Sequence, residues 1–198
     1  MTHDERTALA TAVADALGPG WCVETIDPTW PTRYLKCTDG VRIALGFRDG
    51  RIQVSGDWPR TSSGEACVPY FREGSKRPDI TIAADRSPAA VAREIARRFL
   101  PAYLPLWTAE ATRARTLDDA AATTRRVSAQ LAEAFGIKRR EPNRGAMFES
   151  LRIYHDGDRG FWGDIEVSGD RVTIKLHGLT VETTIALAAL LRQQPAAG

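Results

Sequence analysis

Strict alternation of apolar and polar positions marks the middle of the first half of the chain. Val41, Ile43, Leu45 and Phe47 occupy every second position, and so do Ile52 with Val54 and Ile80 with Ile82. A period of two is the mark of a strand with one buried face. Asp39-Gly40 and Asp49-Gly50 fall between the runs, and Asp-Gly supplies the positive φ that a tight hairpin turn needs. The pattern predicts strands over 33–37, 41–47, 51–55 and 79–83, with an edge strand over 21–26. Pro28 and Pro31 make 27–31 a loop.

Helical periodicity brackets these strands. Leu9, Val13 and Leu17 recur at i, i+4, i+8 behind Thr2 and Glu5, whose spacing is that of a capping box. Gly18-Pro19-Gly20 then stops the helix. Ser87-Pro88 opens another helix, with Val91, Ile95 and Phe99 on its buried face and Pro101 and Pro105 expected to interrupt it. Neither Gly nor Pro occurs from Leu106 to Phe135, which predicts one long helix, or two joined near Thr116. Its expected stripe is Leu117, Thr124, Val127, Leu131 and Phe135. Gly136 ends it.

Strands follow over 151–155, 161–167 and 172–176, with a turn at Asp156-Gly157-Asp158 and a last helix from Thr180 to Arg192. The tail from Gln193 to Gly198 is expected to fray.

The second half echoes the first. Ile52-Gln53-Val54-Ser55-Gly56-Asp57 returns as Ile165-Glu166-Val167-Ser168-Gly169-Asp170, and each copy leads to another strand and then a helix. Both Ser-Gly-Asp triplets read as turns. The chain is accordingly read as α+β, with two related α-β-β-β-α modules whose sheets are antiparallel, joined by long helical segments. The first module spans 1–105 and carries an inserted loop, 58–78; the second spans 106–198.

This element order is similar to that of the double-stranded-RNA-binding domain. That family binds through a Gly-Pro-x-His loop and a Lys-rich start to its last helix. The corresponding positions here read Asp39-Gly40, Asp156-Gly157-Asp158 and Thr180-Val181-Glu182-Thr183, so the resemblance carries topology and no site residue. Ser55-Gly56-Asp57-Trp58-Pro59 and the run from Ala89 to Tyr103 also resemble uncharacterised small proteins of GC-rich actinobacteria and their mobile elements, a resemblance that implies no particular activity.

Composition narrows the chemistry. A net charge of +2 is too small to imply a polyanionic partner by itself, so any such partner must be met by local clusters. Cys22, Cys37 and Cys67 are odd in number and widely spaced. They indicate neither a disulfide framework nor a metal site. The longest apolar run, Ile185 to Leu191, is far short of a membrane span. Met1-Thr2-His3-Asp4-Glu5-Arg6 lacks the apolar core of a secretion signal. A cytoplasmic protein with no membrane contact is expected.

Two basic clusters stand out. Lys138-Arg139-Arg140 with Arg144 is the densest, and Arg125-Arg126 lies one helix back. The insertion interleaves Arg60, Arg72, Lys76 and Arg77 with Trp58, Tyr70 and Phe71, the combination by which bases are stacked while phosphates are neutralised. Aromatic side chains of this kind also anchor protein interfaces. Arg86, Arg93, Arg97 and Arg98 read as a solvated helix face, with Glu94 spaced to pair with Arg98.

Catalytic signals are sparse. No nucleotide-binding, nucleophile-elbow or metal-ligand motif occurs, so no catalytic residue, metal or cofactor is assigned. The leading expectation is a non-enzymatic protein that contacts nucleic acid through its basic and aromatic loops. The alternative is a protein-interaction module, a regulator or anti-defence factor of a mobile element, anchored by Trp58, Tyr70 and Phe71. A third reading is a metal- or acid–base-dependent enzyme built on His155 and His177 with Asp156, Asp158 and Asp164.

Overall fold

The structure, a computed structural model, describes residues 1–24, 30–71, 77–134, 146, 148–154 and 162–192. These divide into two units, Met1–Arg115 and Thr116–Gly198. The fold is α+β, with one antiparallel sheet in each unit and a long helix that crosses the division.

In the first unit, helix α1 (His3–Leu17) begins at the predicted capping box. Thr2 accepts from the Glu5 amide, and the Glu5 carboxylate accepts from the Thr2 amide. Ala10, Val13 and Ala14 are buried, flanked by Leu9 and Leu17. Five strands follow: β1 (Trp21–Glu24), β2 (Thr32–Cys37), β3 (Arg42–Arg48), β4 (Arg51–Asp57) and β5 (Asp79–Ala83). Each pairs antiparallel with the next. The registers Leu35↔Ile43, Leu45↔Val54 and Ile52↔Ile82 align the apolar positions on one face. That face packs on α1, on α2 (Pro88–Glu94) and on the π-helical turn Ile95–Phe99, through Val91, Ile95 and Phe99. Ser87 caps α2 by accepting from the Ala90 amide.

A charged residue also lies on the buried face. Arg33 is only 2% exposed. Its guanidinium donates to Thr7 Oγ1 at 2.9 Å, to the carbonyls of Thr32 and Trp30, and to the His3 ring. Burying a guanidinium is tolerable only when its donors are met in this way.

Three expectations need correction. Gly56 is not in a turn: β4 continues through Asp57, with Gly56 paired to Ile43. Pro101 and Pro105 do not break the helix, since α3 runs unbroken from Leu100 to Ala134. The π-helical turn directly before Pro101 loosens the coil where a proline ring would crowd the carbonyl four residues back. The buried stripe of α3 in the second unit is Ala121, Thr124, Ser128 and Ala132, while Leu117, Val127 and Leu131 are half-buried beside it. Small residues face inward there and the larger ones flank them. Phe135 and Gly136 lie outside the described residues.

The second unit's sheet has the order β6 (Phe148–Tyr154), β7 (Trp162–Ser168), β8 (Arg171–His177). Leu151 pairs with Ile165, which pairs with Ile174. Leu151, Ile165 and Val167 form a small core with Ala132, flanked by Val127, Leu131 and Leu176. Gly169, at φ +60°, turns β7 into β8, so this Ser-Gly-Asp triplet is the expected turn. Its amide donates to the buried Thr124 Oγ1 at 2.9 Å. Helix α4 (Val181–Arg192) follows β8. The expected turn at Asp156-Gly157-Asp158 and the tail 193–198 lie outside the described residues.

Candidate binding loop after the fourth strand

The chain leaves β4 at Asp57 and immediately fastens itself. Trp58 packs edge-on against Tyr103, with ring centroids 5.2 Å apart, and Tyr103 in turn stacks on Phe99 at 5.0 Å. The Tyr103 hydroxyl is shared between the carbonyls of Arg42 and Asp57. Burial, reinforced by the nearby Asp57 carboxylate, pushes the Tyr103 phenol far above its ordinary value. The root of the loop is thus tied to the last strand residue before it and to the helix behind it.

Residues 59–67 form a small self-bonded turn. The Thr61 amide donates to the Glu65 carbonyl at 2.9 Å, Cys67 donates to the Pro59 carbonyl at 2.8 Å, and the Gly64 amide donates to the Thr61 carbonyl at 2.8 Å. Gly64 has φ +91°, a conformation glycine adopts without strain. Arg60 Nη1 donates to the Gly64 carbonyl at 3.0 Å, closing the turn from outside. Thr61 and Cys67 are buried.

Beyond this turn the loop presents aromatic surface. Tyr70 is 89% exposed, and Val68 beside it is also exposed. Phe71 leans on Trp58 at 6.2 Å, and the Arg77 guanidinium lies 5.6 Å from the Phe71 ring centroid. Of the insertion residues singled out by sequence, the structure brings Trp58, Phe71 and Arg77 into one cluster, with the Trp58 and Phe71 rings tilted at 54°, and leaves Tyr70 facing solvent. Arg60 is exposed but spends one donor within its own turn. Arg72, Lys76, Lys138, Arg139, Arg140 and Arg144 lie outside the described residues.

The solvated helix face has the expected pairing and one more. Arg98 and Arg97 each reach Glu94 at 3.2 Å, and these bonds hold the Glu94 carboxyl below its usual range. On the open face of the first sheet, Arg42 lies 4.2 Å over the Tyr34 ring and pairs with Glu24 at 2.9 Å and Asp57 at 3.1 Å. Sequence reasoning missed this network because its members are far apart in the chain and meet only through strand register.

A cleft of about 500 Å³ was also missed. It lies beside the β3–β4 turn and is lined by Met1, Arg6, Phe47, Arg48, Arg51 and Asp85, among others. Two of its arginines, Arg48 and Arg51, flank the Asp49-Gly50 turn; that clustering was the available signal.

His155, Asp156 and Asp158 lie outside the described residues. His177 stacks on Trp162 at 4.2 Å, and Asp164 pairs with Arg152 at 3.7 Å. Among the described residues no group of His, Cys, Asp or Glu has the arrangement of a metal site. No described helix is long and apolar enough to cross a membrane. No protein-family model, curated protein or solved structure matches the chain.

Proposed function

We propose that this chain is a non-enzymatic binding protein that takes nucleic acid on the aromatic and basic loop after β4. The observation that carries the reading is Tyr70, whose ring is almost wholly exposed on a loop whose root is fixed by Trp58 and Tyr103, and next to it in the chain Phe71 has the Arg77 guanidinium 5.6 Å from its ring centroid. An exposed aromatic ring costs solvation unless something covers it, and a base does so without regard to sequence while a neighbouring guanidinium meets phosphate. Arg72, Lys76 and the Lys138, Arg139, Arg140 and Arg144 cluster belong to the same proposal as phosphate-tracking residues. The setting we propose is cytoplasmic, in an actinobacterial mobile-element context.

We read the two units as related modules. The first copy of the six-residue echo lies wholly in β4, and the second begins in β7 and ends in the β7–β8 turn; that β4 and β7 are each the middle one of three consecutive antiparallel strands, β3-β4-β5 and β6-β7-β8, supports that reading. The likeness in element order to double-stranded-RNA-binding domains is the reason to include duplex RNA among the probes.

The test is fluorescence anisotropy with single-stranded DNA, duplex DNA and RNA across a salt series. Binding is expected to weaken steeply with salt, and Tyr70→Ala is expected to remove about 1–3 kcal/mol from single-strand affinity. The pair Arg139→Ala with Arg140→Ala is expected to flatten the salt slope. Absence of binding at low salt overturns the proposal.

A second reading rests on Val68 and Tyr70, two positions apart in the chain, both being exposed. It makes the loop an anchor for a protein partner, with Trp58 as its floor. A partner lost on Tyr70→Ala, from a chain indifferent to nucleic acid, would favour it.

A further inference from the structure

The cleft beside the β3–β4 turn has the size and the lining of a small-molecule site. Its volume of about 500 Å³ falls within the range of ligand pockets. Three arginines bound it, Arg6 from α1 and Arg48 and Arg51 from the two strand ends, against two carboxylates, Asp49 and Asp85. Phe47, half-buried, gives it an apolar wall.

The protein itself satisfies these cations poorly. Arg48 and Arg51 are register partners across the hairpin, and like charges directly opposite one another on adjacent strands repel. Asp49 meets Arg48 at 3.3 Å, but both side chains are almost wholly exposed, so that pair contributes little. Arg51 is exposed and, among the described residues, has no ion pair. Arg6 is half-buried, and its Nε is buried with no hydrogen-bond partner among the described residues. A buried donor left unmet is costly and uncommon.

We propose that the cleft binds a small hydroxylated phosphomonoester of the sugar-phosphate class. A phosphoryl group presents several strong acceptor oxygens, and guanidinium forks meet such oxygens with paired N–H donors. Its negative charge also relieves the opposition of Arg48 and Arg51, whose exposed head groups are free to turn towards it. Asp85 selects the carrier. An ionised carboxylate only accepts hydrogen bonds, so it disfavours a bare phosphate and favours a ligand with a hydroxyl beyond the phosphoryl group. Phe47 covers the carbon skeleton. The cleft adjoins the Arg51 end of β4, whereas the aromatic loop leaves from the Asp57 end, about 20 Å along the strand. This site is therefore separate from the loop and does not rest on nucleic-acid binding.

Isothermal titration calorimetry of the full chain with glycerophosphate and with inorganic phosphate tests this. Glycerophosphate is expected to bind at millimolar concentration or below, and more tightly than inorganic phosphate. Arg6→Gln and Arg51→Gln should each weaken it about tenfold. Arg93→Gln, on the solvated helix face, should not, and Asp85→Asn should abolish the preference over inorganic phosphate. Circular dichroism checks that each variant folds. In the wild-type chain, the amide resonances of Gly50, Arg51 and Asp85 should shift during the titration, which tests the location without any substitution. No binding of glycerophosphate at millimolar concentration overturns the proposal, and so does binding that moves none of these resonances or that folded Arg6→Gln and Arg51→Gln leave unchanged. Equal affinity for the two probes in the wild type overturns the hydroxylated class.

Discussion

Tyr103 occupies the space that a side chain at position 56 would need. A Cβ placed on Gly56 would stand 2.1 Å from Tyr103 Cε2 and 2.7 Å from Cδ2. The missing side chain lets an aromatic ring from α3 reach the backbone of β4, where its hydroxyl meets the carbonyls of Arg42 and Asp57. Gly56→Ala is therefore expected to lower unfolding free energy by about 1–3 kcal/mol, the cost of overpacking a core. Gly46→Ala is the control, because its Cβ would meet nothing closer than 3.8 Å. Urea denaturation should show a lower midpoint at unchanged slope for the first and little change for the second.

The Tyr103 hydroxyl should make stability fall in alkali. Its phenol titrates higher in the folded chain than the ordinary value of about 10, because burial disfavours the phenolate. The native state therefore holds this proton more tightly. The contribution is complete below about pH 10 and declines as pH rises above it. Denaturant midpoints measured from pH 8 to 11 should decline for the wild type and decline less for Tyr103→Phe. At neutral pH that variant should be weaker by about 1–2 kcal/mol, since two carbonyls lose a donor.

Thr124 should matter more than a threonine on a helix ordinarily does. It is fully buried and its hydroxyl holds the Gly169 amide of the β7–β8 turn. Thr124→Val keeps the shape and removes the acceptor. We expect a loss of about 1–3 kcal/mol, and faster hydrogen exchange at the Gly169 amide is the specific readout.

The three thiols should separate by accessibility. Cys22 is exposed, Cys37 is intermediate and Cys67 is buried beneath the loop turn. An aromatic disulfide reagent should modify Cys22 first and Cys67 only at the rate at which the loop opens. Trp58→Ala, which removes the ring that ties the loop root to Tyr103, should accelerate Cys67 selectively. Equal rates for Cys22 and Cys67 in the native chain would contradict the described turn.

Local chemistry was legible in the sequence wherever short-range rules decide the structure. The Thr2–Glu5 capping box, the Ser87-Pro88 start, the Asp-Gly hairpins and the alternation of β3 each depend on residues within a few positions of one another. What was not legible depends on residues far apart. Gly56 reads as a turn until Tyr103, 47 positions later, is seen to lie on it. Pro101 reads as a break until the preceding turn is seen to widen. Of the expected inward stripe of α3, Thr124 is fully buried, but the expectation otherwise put large apolar residues inside, whereas the other buried positions hold Ala and Ser. At the loop, Trp58, Tyr70, Phe71 and Arg77 were singled out by type, but their division into a clustered trio and an exposed Tyr70 follows only from contacts in space.

The neighbour-to-neighbour order of β1 through β5 has a consequence for how the first unit is made. Each strand after β1 pairs with the strand synthesised before it, so pairing can advance from the N-terminal end as the chain leaves the ribosome, with one long loop to close, between β4 and β5. The loop between β4 and β5 is the longest pause in that progression. Tyr103 arrives after the last strand is in place and bridges carbonyls 61 and 46 residues upstream, so the meander assembles by local steps and is locked by a distant one.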